Sequence, residues 1–270
     1  MKVTDKTIAV TGGGNGIGRE LVLGLLERGA RVAALDISDD GLKATLDRAG
    51  SRSDRLSTHV VDITDRAAVE ALPAAIIAEH GQVDGLINCA GVIQPFVPLI
   101  DLDYPSIERV MAINFWGLVH TTKAFLPHLV ARPRAHIVNV SSMGGFIPVP
   151  GQTVYGASKA AVKLLTEGLH SELAGTPVSV TVVFPGAIQT EITKNSGVEM
   201  HGKPDTATAD QSKHKMTSAP DAARIIIDAM ERDAYRVTVG KDATMLDRLA
   251  RLSPRRSAAL IQKKMKDLLD

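Results

Sequence analysis

The chain has 270 residues, and its 31 basic residues are almost balanced by 30 acidic ones. This length suits a single α/β domain over residues 1–270 with its own apolar core. The balanced charge gives no indication of a nucleic-acid partner. One cysteine, Cys89, excludes an intrachain disulfide and fits a reducing compartment.

No apolar stretch approaches the roughly 18–20 residues that a membrane span needs, and no secretory segment precedes the first predicted strand. We therefore expect a cytoplasmic protein without a membrane span. The eight histidines show no metal-ligand spacing such as H-E-x-x-H, so no metal site is predicted.

The first motif is a short apolar strand at 8–10, a glycine-rich loop and a helix that stops before Gly29. Residues 12–18 read G-G-G-N-G-I-G. Loop N–H groups and the helix dipole bind a pyrophosphate, and missing side chains let it come close. A glycine-rich loop alone could be a flexible linker, but its place between strand and helix favours dinucleotide binding.

The second predicted strand, 31–35, ends at Asp36. An acid about 20 residues after the glycine loop accepts hydrogen bonds from the adenosine ribose and repels a 2′-phosphate. The pattern therefore predicts NAD as cofactor. The alternative is that Asp36 is a solvated residue or a cap at the strand end.

Further strands and helices alternate along the chain. A third strand is predicted over 59–63 and a helix from about 65 to 80; Asp62 could cap that helix. A strand at 84–87 leads into the sequence N-C-A-G, and Cys89 reads as a small buried hydrophobe. A long helix from Pro105 to about 130 contains Asn114, a poor residue for a helix interior that needs a reason.

The chemistry centres on residues that follow a predicted strand at 137–140. Tyr155 and Lys159 are four residues apart, so they lie one turn apart on one helix face. The tyrosine can exchange a proton, and a serine can hold a substrate oxygen. One ammonium at ~4 Å contributes about 4 kcal/mol at an effective dielectric of ~20, nearly enough to lower a tyrosine pKa from ~10 to ~7. The alternative is a packed tyrosine and a solvated lysine on an ordinary helix.

The remaining elements are a central strand at 178–184, a helix at 222–230 and a last strand at 236–239. Residues 191–218 are polar and aperiodic, which is typical of a substrate lid. Residues 241–270 form a predicted helical extension, in which Leu260, Ile261, Met265 and Leu268 make an apolar stripe. We expect that stripe to cover the domain itself or a partner subunit; docking to a membrane surface is the alternative.

In combination, these motifs resemble the short-chain dehydrogenase/reductase family over about residues 5–240. The resemblance implies seven strands in the order 3-2-1-4-5-6-7. It selects Ser142, thirteen residues before Tyr155, as the catalytic serine rather than Ser141, and it implies that Asn114 kinks its helix and links Lys159 to solvent. NADP-preferring relatives usually carry Arg or Lys at the positions of Asn15 and Ile37. The residues expected to contact the cofactor are Gly12, Asn15, Gly16, Ile17, Gly18, Asp36, Asp62, Ile63, Asn88, Ala90, Gly91, Tyr155, Lys159, Pro185, Gly186, Ile188 and Thr190.

The strand–helix alternation predicts an α/β fold, a doubly wound, Rossmann-like parallel sheet with helices on both faces. The predicted activity is NAD-dependent interconversion of a secondary alcohol and a ketone. Loops 93–98 and 143–152 are apolar and lack Lys and Arg, which favours a bulky or apolar small-molecule substrate. The alternatives are an NADPH-dependent carbonyl or 3-oxoacyl reductase and a non-catalytic NAD-binding sensor or scaffold. A homodimer or homotetramer is expected.

Overall fold

The computed structural model describes residues 1–198 and 216–264, and seven strands in these residues form one parallel sheet. Its order is β3-β2-β1-β4-β5-β6-β9. A separate pair is formed by β7 and β8. The strands are β1 (Thr7–Thr11), β2 (Arg31–Asp36), β3 (Leu56–Val60), β4 (Gly85–Asn88), β5 (Ala135–Val140), β6 (Val178–Pro185), β7 (Ile188–Gln189), β8 (Thr217–Ser218) and β9 (Arg236–Val239).

Helices cover both faces of this sheet, as predicted. Helices α1, α2 and α8 pack on one face and helices α3, α5 and α6 on the other, each around its own apolar cluster. None of the helices in the described ranges is both long and apolar enough to cross a membrane. The helices are α1 (Gly16–Glu27), α2 (Asp39–Ala49), α3 (Arg66–His80), α4 (Tyr104–Met111), α5 (Leu118–Val130), α6 (Thr153–Glu172), α7 (Ile192–Asn195), α8 (Ala219–Glu231), α9 (Lys241–Leu252) and α10 (Pro254–Lys264).

The strand order reverses between β1 and β4. The chain first builds outward from β1 through β2 to β3 and then returns to place β4 on the other side of β1. Loops that leave the carboxyl ends of β1 and β4 therefore diverge to opposite faces and leave a crevice between them. Every residue of β1 is buried, which explains its continuous apolar pattern.

The third strand starts and ends three residues earlier than the predicted range 59–63. Its length is set by pairing with β2, from Leu56 opposite Val32 to Val60 opposite Asp36. The chain then turns, and Asp62 Oδ1 accepts the Thr64 N–H at 2.8 Å. Asp62 is therefore not the cap of helix α3; Asp65 has that role.

The long helix predicted from Pro105 is helical from Tyr104 to Val130 but contains a π-helical turn at Ala112–Gly117. Asn114 lies in this turn and is almost fully buried. One extra residue in a helical turn redirects side chains locally, and such turns are frequent at functional sites. The turn therefore marks the part of the helix that faces the crevice.

The last helices cover the loop that follows β5. Leu246 of α9 and Ile261 of α10 pack on Ile147, with Met143 and Phe146 beside them. The extension thus packs against its own domain in the described residues. Met265 and Leu268 of the predicted apolar stripe lie outside the described residues, as does the middle of the predicted lid, 199–215.

Candidate active site

A cleft of about 790 Å³ lies at the carboxyl ends of β1, β4, β5 and β6. It brings together predicted site residues that are far apart in the sequence. Two of the predicted residues, Asn88 and Asn114, lie behind its wall. The predicted residues that line it are Gly12, Asn15, Gly16, Ile17, Gly18, Asp36, Asp62, Ile63, Ala90, Gly91, Ser142, Tyr155, Lys159, Pro185, Gly186, Ile188 and Thr190.

The glycine loop after β1 forms one wall of the cleft, mostly from the backbone of its glycines. Gly12 has a φ of +73°, which favours glycine, and a Cβ on Gly18 would collide with the Gly12 carbonyl. Asn15 caps α1 by accepting the Gly16 N–H at 2.7 Å. Behind the loop, Arg19 donates to the Gly14 carbonyl and to Thr45 Oγ1. The loop thus exposes its backbone, as binding of a pyrophosphate requires.

Asp36 closes one end of the cleft and also supports the glycine loop. Its Oδ2 accepts the Gly14 N–H at 2.9 Å, and its Oδ1 accepts the Ser38 N–H at 2.9 Å. A carboxylate has further lone pairs, so it can accept additional hydrogen bonds from a ligand. The neighbouring Ile37 is 68% exposed and uncharged.

The Asn88 side chain stabilises the sheet and does not line the cleft in this structure. Its side chain is buried and bonded to Asn139 Oδ1 at 2.9 Å, to Thr122 at 3.1 Å and to Thr121 at 2.7 Å. Nearby, Thr11 Oγ1 accepts N–H groups of the loop after β4. Asn88 therefore locks β4 to its neighbours, and its loop reaches the cleft through the two residues Ala90 and Gly91.

Asn114 holds the same loop from the other side. Its Oδ1 accepts the Val92 N–H at 2.8 Å, and its Nδ2 donates to the Val92 carbonyl at 2.9 Å and to Ser158 Oγ at 3.0 Å. A Cβ on Gly91 would lie 3.1 Å from Lys159 Nζ, so glycine permits this approach. Asn114 thus shapes the loop, and the solvent relay through it stays a prediction.

Ser142 and Tyr155 meet across the cleft. A Cβ on Gly144 would lie 3.3 Å from Tyr155 Cε1 and 3.5 Å from Ser142 Oγ, so the two side chains are neighbours. Ser142 Oγ accepts the Gly144 N–H at 3.0 Å. The neighbouring Ser141 is turned away, because its hydroxyl donates to the Lys159 carbonyl at 2.7 Å. Ser142 is therefore the hydroxyl that faces Tyr155.

Burial governs the charges of this site. It lowers the pKa of the Lys159 ammonium to about 8, and that ammonium donates to the Val140 carbonyl at 3.1 Å. Burial also raises the pKa of Tyr155, and the neighbouring Ser142 hydroxyl opposes this rise only in part. The prediction that Lys159 brings the tyrosine pKa below its ordinary value is thus wrong for this structure. Burial raises the Cys89 pKa to about 12, which fits an unreactive thiol.

A residue that sequence reasoning missed supports the turn after β6. Asp242 Oδ2 accepts the Ala187 N–H at 2.7 Å. A Cβ on Gly186 would collide with this carboxylate, so the turn depends on glycine. Ala187 and Asp242 are 55 residues apart in the sequence, and no local sequence pattern indicates their contact.

The end of the cleft opposite to Asp36 is mainly apolar, with Ile93, Ile113 and Ile192 in its lining. Arg109, which was not predicted, also lines it. Its Nη1 donates to the Ser196 carbonyl at 2.8 Å, and Ser196 Oγ accepts the Ile93 N–H at 3.0 Å. The arginine therefore ties the start of the predicted lid to α4.

These observations fit a nicotinamide dinucleotide. Side-chain-free backbone lies where a pyrophosphate would bind, a carboxylate lies at one end, and a Tyr–Ser–Lys group lies at the other. Among the described residues, no three His, Cys, Asp or Glu side chains are placed to hold a metal ion. Fold and site together define a dinucleotide-dependent oxidoreductase.

Comparison with known proteins identifies the family. A family model described as short chain dehydrogenase matches residues 6–200. The chain belongs to the short-chain dehydrogenase family and is an oxidoreductase of that family. It is 38% identical over 251 residues to a putative oxidoreductase, SadH, of Mycobacterium tuberculosis, a match that covers 92% of this chain and 90% of that protein.

Solved structures share the fold. A short-chain dehydrogenase/reductase from Burkholderia phymatum in complex with NAD superposes with a TM-score of 0.82 at 26% identity, covering 92% of this chain and 94% of that one. A short-chain dehydrogenase from Burkholderia cenocepacia in complex with NADP gives 0.79 at 26% identity, covering 97% and 99%. The family thus binds a nicotinamide dinucleotide, and its members use both forms.

Proposed function

We propose that the protein interconverts a secondary alcohol and a ketone with NAD as the cofactor. The observation that carries this proposal is that Tyr155 and Ser142 are neighbours in the cleft, where a Cβ on Gly144 would lie 3.3 Å from Tyr155 Cε1 and 3.5 Å from Ser142 Oγ, and that the buried Lys159 lies one helical turn away. When bound, the nicotinamide would accept or return the hydride. The roles of the protein are to orient the substrate oxygen and to move one proton.

Each of the three side chains has one main task in this proposal. Ser142 donates a hydrogen bond to the substrate oxygen and fixes its orientation. Tyr155 Oη takes the alcohol proton during oxidation and gives it back during reduction. Lys159 binds ribose hydroxyls. Because burial raises the Tyr155 pKa, the protonated tyrosine needed for ketone reduction prevails at neutral pH.

The choice of NAD rests on the charges around Asp36. The carboxylate can accept hydrogen bonds from a ribose 2′-hydroxyl but repels a 2′-phosphate. In the described residues, the cations that line the cleft are Lys159 and Arg109. Lys159 lies at the Tyr155 end and Arg109 is bonded to Ser196, whereas Asp36 is flanked by the uncharged Ile37. Arg19 lies behind the glycine loop, where its guanidinium is bonded to the Gly14 carbonyl and Thr45 Oγ1. Among the described residues, a phosphate beside Asp36 would therefore lack a free cationic partner.

The substrate end of the cleft favours a bulky, weakly polar alcohol. Its lining includes Ile93, Ile113 and Ile192, and an apolar wall offers no partner to an ionised group. Among the described residues that line the cleft, the guanidinium is that of Arg109, and it is already bonded to the Ser196 carbonyl. A short hydroxy acid would therefore gain little from this site.

The test is a panel of secondary alcohols and ketones that includes cyclic alcohols, long-chain alcohols, hydroxyacyl thioesters and short hydroxy acids. NADH absorbance reports turnover, and NADP(H) is run in parallel. We expect turnover with NAD and the highest kcat/KM for bulky alcohols. Tight NAD binding without turnover of any compound would favour the sensor or scaffold, and better rates with NADPH and oxoacyl compounds would favour the reductase.

A further inference from the structure

Gln94 is a fully buried polar residue in the loop after β4, three residues beyond Gly91. Its Oε1 accepts two backbone N–H groups at the start of helix α6, those of Val154 at 2.8 Å and Tyr155 at 2.9 Å. Its Nε2 donates to the Gly151 carbonyl at 3.0 Å. One amide side chain thus makes three hydrogen bonds to the segment that carries the reactive tyrosine.

Helix α6 needs such a partner because it lacks a cap of its own. The first N–H groups of any α-helix have no acceptor within the helix. A local cap is usually a Ser, Thr, Asp or Asn side chain, but Gln152 is in that position and its side chain makes no capping bond. Its Nε2 instead donates to the Gln94 carbonyl at 2.8 Å. The cap therefore comes from a residue 60 positions earlier.

The loop that carries Gln94 is also fixed on its other side. Val92, two residues earlier, is held by the paired hydrogen bonds of Asn114. The preceding residues Ala90 and Gly91 line the cleft. The same short segment therefore presents backbone to the cofactor site and side-chain amide to the first turn of α6.

We propose that Gln94 is a positioning residue that sets the place of Tyr155 relative to the cofactor-binding loop. The inference rests on the proposed function in one respect, the role of Tyr155 as acid and base. A hydride and a proton must leave the same alcohol group, so the hydroxyl of Tyr155 has to stay in register with that loop. A small displacement of a positioned group costs up to roughly 100-fold in rate.

The experiment compares two substitutions with a matched control. Gln94→Met keeps length and apolar volume but removes both acceptor and donor. Gln94→Glu keeps an oxygen that can accept both N–H groups at a helix start, where negative charge is favourable. Gln82→Met is the control, because Gln82 also makes two side-chain hydrogen bonds, to Asp84 and Arg132, at the opposite edge of the sheet.

We expect Gln94→Met to lower kcat roughly 10–100-fold while the dinucleotide Kd changes by less than about threefold. Gln94→Glu should recover most of that kcat, and Gln82→Met should leave kcat within about twofold of the parent protein. Equal loss in Gln94→Met and Gln94→Glu, with the amides of Val154 and Tyr155 as protected in Gln94→Glu as in the parent protein, would assign the effect to packing and would overturn the proposal. Unchanged kcat in Gln94→Met would overturn it as well.

Amide hydrogen exchange gives a second readout that does not depend on turnover. In Gln94→Met the amides of Val154 and Tyr155 should exchange at least about tenfold faster, while amides late in α6 keep their protection. Unchanged exchange at these two amides would overturn the proposal. If the parent protein turns over no substrate but exchange responds as expected, the positioning contact stands and the proposed function fails.

Discussion

The amino ends of the parallel strands, here called the amino edge of the sheet, and their carboxyl ends, the carboxyl edge, bury charged groups in different ways. At the amino edge, the fully buried Asp84 accepts hydrogen bonds from the Thr7 N–H, Gln82 Nε2 and Arg132 Nε at 2.8–3.0 Å. At the carboxyl edge, Lys159 is 4% exposed, and its ammonium donates to the Val140 carbonyl. In the described part of the chain, no carboxylate lies within ion-pair distance of this ammonium.

The difference separates stability from function. A buried charge with a full set of partners is tolerated, and removing one partner is costly. A buried charge without a counterion destabilises the fold. We infer that the amino edge stabilises the sheet, whereas the carboxyl edge retains a destabilising lysine because the chemistry requires it. Perturbed ionisable groups in clefts are typical of functional sites.

The largest expected effect is on catalysis at the carboxyl edge. Tyr155→Phe keeps the ring but removes the group that exchanges a proton, so kcat should fall by roughly 10²–10⁴-fold. Dinucleotide affinity should stay nearly unchanged. Steady-state kinetics and a binding titration measure the two quantities.

The control is Tyr235→Phe, which removes a half-exposed hydroxyl next to His170 far from the cleft. It should behave like the parent protein. A Tyr155→Phe protein that keeps most of its kcat would contradict the mechanism.

A substitution at the amino edge should change stability rather than catalysis. Asp84→Ala leaves Arg132 Nε and the Thr7 N–H without their acceptor, and breaking a buried pair costs about 3–5 kcal/mol of unfolding free energy. The kcat of the protein that remains folded should change little. Urea unfolding gives the free energy, and active-site titration corrects kcat for the folded fraction.

An exposed ion pair provides the comparison. Asp39→Ala removes the partner of Lys43, and both side chains are more than half exposed, so the loss of unfolding free energy should be far smaller than in Asp84→Ala. Similar losses in the two variants would show that burial does not distinguish the two pairs.

Lys159→Met should make the protein more stable and less active. The Lys159 pKa falls from 10.5 to about 8 in the folded chain, so the folded state disfavours the charged form. At pH 7 the lowered pKa reduces the unfolding free energy by about 3 kcal/mol. This destabilisation declines only as the pH rises from about 8 to 10.5. Methionine at this position avoids the destabilisation but also removes the positive charge. We expect a higher urea midpoint together with lower kcat and weaker dinucleotide binding; a lower midpoint would contradict the unpaired state of Lys159.

His136 at the amino edge predicts an acid-dependent loss of stability. Burial lowers its pKa to about 4, so between about pH 6.5 and 4 the unfolded chain binds a proton that the folded chain does not. Stability should therefore fall as pH decreases through this window, by about 2 kcal/mol between pH 6.5 and 5. In His136→Gln, urea unfolding at the two pH values should show a smaller difference; an equal difference would assign the effect to other groups.

The smallest expected effect concerns the choice of dinucleotide. The hydrogen bonds and repulsion assigned to Asp36 imply a preference for NAD over NADP of about 10–100-fold in kcat/KM. Asp36→Asn keeps an acceptor for the Gly14 N–H but removes the charge, so the preference should narrow. Adding Ile37→Arg should then favour NADP, because arginine offers a fork of donors to a phosphate. Equal kcat/KM for both cofactors in the parent protein would refute the role of Asp36.

The elements that could be predicted from sequence are those with strong local patterns. The buried strands β1, β2, β5 and β6 have continuous apolar runs, and the glycine loop fixes where α1 starts. Helix α2 was missed because few of its residues are buried, with Leu42, Thr45 and Ala49 as the buried ones. The bounds of β3 were wrong because pairing with β2 sets them, and periodicity does not report pairing.

The same distinction, between local patterns and long-range contacts, separates the site residues that were predicted from those that were missed. Motifs of short span predicted the cleft-lining positions around Gly16, Tyr155 and Gly186. Gln94 and Asp242 were not predicted, since each acts on backbone more than 50 residues away. The direction of the Tyr155 pKa was predicted wrongly because it depends on burial, which spacing alone does not measure.

The contact between Asp242 and the Ala187 N–H also couples two parts of the molecule energetically. Asp242 lies in the first turn of α9, and Leu246 of that helix packs on the loop after β5. Docking of α9 and the shape of the turn at Gly186, which lines the cleft, are therefore linked equilibria. By thermodynamic reciprocity, a ligand that binds the ordered turn more tightly also strengthens the docking of the carboxyl-terminal helices, by the same free energy. Dinucleotide affinity can thus change through substitutions in α9 that never touch the ligand.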